Sequence, residues 1–107
     1  MNVVEQNINA IAELCRLHKV ERLFVFGSVL TDAFHEESDI DFLVKFGSVD
    51  LYHYFDNYIE FKESLEKLLQ RSVDLVEEQT VKNPILKSSI DRNKKLIYGR
   101  KDRKVAA

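Results

Sequence analysis

Four consecutive apolar residues, Leu23-Phe24-Val25-Phe26, run straight into Gly27. A strand of that composition offers no polar side to water, so it must be covered on both faces. This demands a sheet with helices packed against it, and the flanking patterns supply both. Ile40, Phe42 and Val44 alternate with Asp39, Asp41 and Leu43, which predicts a second strand through about Phe46. Val73-Asp74-Leu75-Val76 predicts a third, and Leu96-Ile97-Tyr98 a short last strand at an edge of the sheet. Helices are predicted in three places. The first spans residues 3–18, where Val4, Ile8, Ile11 and Cys15 share a face and Asn2 with Glu5 suits a capping box. The second spans about 50–70, with Leu51, Phe55, Tyr58, Leu65 and Leu69 on one side and Lys62 interrupting the stripe. The third runs from Pro84 to about Arg92, proline being suited to a first helical turn. A short helix is also expected within 28–37. The fold class is therefore α/β (α+β): a small mixed sheet of three to four strands with flanking helices.

At 107 residues the chain is expected to form one domain, 1–107, with a basic and mobile tail from about residue 100. No apolar run approaches the length of a membrane span. The first residues carry acids and no basic stretch of the kind that opens a secretory signal, so a cytoplasmic location is expected. The single Cys15 excludes an internal disulfide framework and lies on an apolar helix face, as a small buried hydrophobe would. Charge is unevenly spread. Residues 1–78 carry 16 acidic and 7 basic side chains, whereas residues 79–107 carry 2 and 9. An acidic body with a basic end can steer an anionic ligand or an acidic partner, or can simply be a solvated surface.

The chemistry concentrates in the acids. Successive strand side chains point to opposite faces, so Asp39 and Asp41 share one face while Ile40 enters the core. Like charges held about 4 Å apart repel by roughly 1 kcal/mol in water and more in a drier site. A hard divalent cation removes that penalty, and carboxylate oxygens are the ligands magnesium prefers. Asp74 lies alone on one face of its strand, between Val73 and Leu75 on the other, as an acid facing a polar cleft would. Gly27-Ser28 stands where the first strand ends. Glycine there permits close backbone approach to a phosphate, and the serine hydroxyl adds a donor. Each feature alone has an ordinary structural reading; together they form one pattern.

Phe26-Gly27-Ser28, ten residues, then Asp39-Ile40-Asp41-Phe42-Leu43-Val44 resembles the Gly-Ser-x10-Asp-x-Asp signature of the DNA polymerase beta nucleotidyltransferase superfamily. Ser38 fits as well, and Val73-Asp74-Leu75-Val76 is similar to the strand that carries that superfamily's third carboxylate. The short chain is most similar to the minimal nucleotidyltransferase (MNT) branch. The resemblance implies two Mg2+ ions and a nucleoside triphosphate, ATP, as substrate. It implies Asp39, Asp41 and Asp74 as catalytic metal ligands and Gly27 and Ser28 as nucleotide contacts. It further implies an antitoxin that transfers AMP to a tyrosine of a HEPN-domain toxin, with no direct role on nucleic acid. The alternative is an antitoxin that neutralises its HEPN partner by binding alone. One departure stands out: the superfamily commonly places a basic residue soon after Gly-Ser. No Lys or Arg occurs between Gly27 and Asp39, which leaves Lys82 or Lys87 to compensate.

The remaining candidates have plainer readings. His18, His35 and His53 read as surface histidines, and Asp32 as a solvent-facing helix residue. Tyr52, Tyr54, Phe55, Tyr58 and Phe61 crowd one helix with more aromatic area than a single buried stripe needs. Either they fill the core or some form a surface for a partner or a second copy of the chain.

Overall fold

The structure is a computed structural model that describes residues 3–27 and 39–99. Its elements follow in the order α1 (Val3–Gln6), α2 (Ile8–Leu17), β1 (Val20–Phe26), β2 (Ile40–Phe46), α3 (Leu51–Leu69), β3 (Val73–Glu77), a 3-10 turn (Glu78–Thr80), α4 (Pro84–Asn93) and β4 (Lys95–Gly99). The strands form one sheet in the order β3-β2-β1-β4. β1 pairs antiparallel with β2 and with β4, whereas β2 and β3 run parallel. The sheet is therefore mixed and β4 is an edge, both as the sequence predicts. The expected capping pair at Asn2, the helix within 28–37 and the tail from residue 100 lie outside the described residues.

The two faces of the sheet are covered unequally. Leu23, Val25, Ile40, Phe42, Val44, Val73 and Leu75 meet Val4, Ile11 and Cys15 from the first two helices, and Phe61, Leu65 and Leu69 from α3. The other face has a smaller cluster, in which Phe24 and Leu43 meet Ile90 of α4. Leu23-Phe24-Val25 is thus buried on alternate sides, which explains why its sequence is apolar throughout. The parallel β2–β3 pair needs a crossover, and α3 supplies it. Local signals fix the helix ends. Asp50 accepts the Tyr52 N–H at the start of α3. Asn83 accepts the N–H groups of Ile85 and Leu86 at the start of α4, with Pro84 beside it.

Three expectations need correction. The first helix breaks at Asn7, whose side-chain amide donates to the Val3 carbonyl, and Ile8 is left 36% exposed rather than joining the stripe. In α3 the buried face runs through Phe61, Leu65 and Leu69, with Tyr54 and Tyr58 packed on it. Leu51 and Phe55 are instead 88% and 70% exposed. The two tyrosines win because each has a polar end to satisfy: Tyr54 donates to the Glu77 carboxylate and Tyr58 to the Leu75 carbonyl. His18 is half-buried rather than on the surface. Its Nδ1–H donates to the Leu14 carbonyl at 2.9 Å, and its ring lies 5.5 Å from that of Phe61.

Phe61 is fully buried, with the Phe46 ring 5.9 Å away edge-on. Phe61→Ala should lower unfolding free energy by about 3–5 kcal/mol, measurable by urea denaturation. Cys15 is fully buried and its thiol is pushed up to about 12 by desolvation. It is structural, as its place on the helix face suggests.

Candidate active site

The site is built on the face of the sheet that carries α4. Ile40 enters the larger core, so Asp41 is turned the other way, and Val73 and Leu75 do the same for Asp74. The parallel register then places Asp41 directly beside Asp74. The Ile40 N–H bonds the Ser72 carbonyl at 3.0 Å, which fixes the start of that pairing. Asp39 precedes β2 and is exposed, as is Asp74, while Asp41 is half-buried. The charges of the other two acids are felt at Asp41. Desolvation first, then Asp74, then Asp39 push its carboxyl above the usual value.

Gly27 completes the corner. Phe26 pairs with Asp41 across β1 and β2, so the glycine turn begins beside that carboxylate. Its φ is +80°, a conformation L side chains rarely adopt. A Cβ at position 27 would collide with the Asp41 carboxylate, its Cγ 3.2 Å away. Glycine is required here on both counts. Asp41, Asp74 and Gly27 are thus brought together, and the charge of Asp39 reaches Asp41; Ser28 lies outside the described residues, as do Asp32 and His35. Among the described residues no three carboxylate, imidazole or thiol groups are already drawn into a metal cage. The donor chemistry nevertheless fits a hard cation. Hydrated oxygen-ligand sites for magnesium use one or two carboxylates, and a cation would relieve the repulsion that raises Asp41.

A family model described as polymerase beta nucleotidyltransferase matches residues 9–103. The chain belongs to that family. As a nucleotidyltransferase it is 37% identical over 101 residues to MJ1379, a candidate protein adenylyltransferase of Methanocaldococcus jannaschii, covering 87% of this chain and 98% of the relative. A solved candidate minimal nucleotidyltransferase is 31% identical, with a TM-score of 0.72 over 89% of this chain and 95% of its own. A toxin–antitoxin structure with AMP-PNP is 26% identical, with a TM-score of 0.67 over 89% of this chain and 75% of that one. The chain is an enzyme of nucleotidyl transfer with the minimal nucleotidyltransferase fold. Among the described residues no helix is long and apolar enough to cross a membrane.

The sequence offered no view of the cleft that opens at this corner. Its volume is about 500 Å³, and Phe26, Gly27, Leu86, Ser89, Ile90, Arg92 and Asn93 line it. The sequence-based choice of Lys87 as a substitute cation does not fit. Lys87 lies 3.9 Å from Asp91 and lines a separate, smaller cavity.

Proposed function

We propose that this chain transfers AMP from magnesium-bound ATP to a hydroxyl, a tyrosine of a HEPN-domain toxin, and thereby acts as the toxin's antitoxin. The observation that carries the reading is the pairing of Asp41 with Asp74 on adjacent strands, with Gly27 against the Asp41 carboxylate. Asp39 and Asp41 would hold two Mg2+ ions, with Asp74 sharing in their ligation. Bound there, the ions would supply positive charge against the triphosphate and the departing pyrophosphate. Asp74 is exposed and can take the proton from the acceptor hydroxyl. The acceptor oxygen bonds to the α-phosphorus, the bond to the β-phosphate bridge breaks, and pyrophosphate leaves. Gly27 and Ser28 hold the distal phosphates, where a backbone without a side chain permits close approach. In this reading residues 1–107 form one nucleotidyltransferase domain that works in the cytoplasm and makes no direct contact with nucleic acid.

Incubation with ATP labelled in the α-phosphate, magnesium and a HEPN protein encoded beside its gene should place the label on a partner tyrosine. A partner that binds yet acquires no label would contradict the proposal.

The rival reading is neutralisation by binding alone. The exposed apolar start of α3 favours it, where Tyr52 is 91% exposed beside Leu51 and Phe55. The same surface could serve self-association. Substituting Asp39 and Asp41 by Asn separates the two readings. Neutralisation lost with binding retained indicates catalysis, whereas neutralisation unchanged indicates occlusion.

A further inference from the structure

The cleft at Gly27 supplies what the sequence after Gly27-Ser28 lacks. We infer that Arg92, on the last turn of α4, is the cation that receives the distal phosphates of the nucleoside triphosphate. The inference rests on the nucleotidyl-transfer reading and adds to it a residue 65 positions beyond the glycine turn.

Position comes first. β4 begins at Lys95, which pairs with Val25 two residues before Gly27. That pairing anchors the end of α4 beside the glycine turn, and Arg92 lines the same cleft as Gly27. The cleft opens on the catalytic face, because Phe26 pairs with Asp41 and packs with Leu43 and Ile90. Its volume of about 500 Å³ falls within the range of small-molecule sites.

Availability comes second. The other cations on and just beyond this helix are engaged. Lys94 lies 2.9 Å from Asp91 and 4.3 Å from the centre of the Phe24 ring. Lys87 faces Asp91 as well. Arg92 makes one bond of 3.3 Å, to the neutral Ser88 hydroxyl, and has no carboxylate partner among the described residues. Its guanidinium keeps most of its donors free, and a planar fork matches a phosphate better than an ammonium does. Phe26, Leu86 and Ile90 supply the apolar walls of the cleft, and Arg92 is exposed at its rim, where an anion can reach it. Ser89 stands one turn earlier on the same wall as a further hydroxyl donor.

The test is AMP-PNP affinity of the wild type, Arg92→Gln, Arg92→Lys and the control Lys87→Gln, by calorimetry with magnesium. Arg92→Gln should bind at least about tenfold more weakly, as loss of a charged hydrogen-bonding group implies, with its melting temperature unchanged. Arg92→Lys should recover part of the loss, and Lys87→Gln should stay within about twofold of wild type. In the transfer assay Arg92→Gln should raise KM for ATP more than it lowers kcat. Arg92→Gln binding as tightly as wild type would overturn the assignment while leaving the transferase reading intact. So would an equal loss in Lys87→Gln, which would indicate a diffuse field rather than a contact. A wild type that binds no AMP-PNP would remove both.

Discussion

Asp41→Asn should reduce AMP transfer by at least about a thousandfold, the scale lost when a principal electrostatic contributor to a transition state is removed. The same substitution should make the protein more stable. Burial and the charges of Asp74 and Asp39 hold the Asp41 carboxyl above its ordinary value. Between the unfolded and folded pKa values the native state therefore binds more protons than the unfolded chain. Stability declines as pH rises through that window, and the penalty is fully present above it. Asn cannot ionise, so the variant should melt higher than wild type at pH 7 without divalent cations. The gain should vanish at acid pH, where the wild-type carboxyl is protonated. It should stay below about 1 kcal/mol, because water screens a half-exposed group. Magnesium should raise the melting temperature of wild type more than that of the variant. Activity and stability moving in opposite directions is the mark of a charge kept for function. A purely structural Asp41 would lose both together.

Gly27→Ala should be the second severe lesion. The added Cβ meets the Asp41 carboxylate, and the φ of +80° is strained for alanine. The strain costs about 1–2 kcal/mol. The larger effect should be catalytic: displacing the carboxylate of Asp41 should reduce transfer by roughly a hundredfold, as a misplacement near 1 Å can. Far-ultraviolet circular dichroism should remain that of the wild type, since Gly27 stands at the end of β1 and outside the core. Full activity in Gly27→Ala would mean that the corner does not hold the reacting groups.

Much of this fold was legible because its signals are local. Apolar runs and alternation marked all four strands, and Pro84 marked the start of α4. The turning of Asp41 away from the core followed from strand alternation, as did the isolation of Asp74 from its apolar neighbours; Asp39 precedes β2, where alternation does not place it. What the alternation could not show was that Asp41 and Asp74 would be register partners, since that depends on the parallel pairing of strands separated by α3. The phase of α3 was misread at its start for a related reason. Leu51 and Phe55 are as apolar as a core requires, but Tyr54 and Tyr58 find acceptors on Glu77 and Leu75, residues of a strand that had yet to be placed. The cleft at Gly27 was hidden for the same cause, because its cation arrives from the far end of the chain through the pairing of β1 with β4. Family resemblance named the acids; it did not point to α4.

The central claim is that the Asp39–Asp41–Asp74 corner binds divalent cations together with a nucleoside triphosphate. Counting Mn2+ ions by electron paramagnetic resonance in the presence of AMP-PNP measures this directly. Wild type should take up two ions per chain, as a two-metal site requires, and the Asp39→Asn/Asp41→Asn variant at most one, held by the nucleotide. Equal uptake by the two proteins would contradict the account.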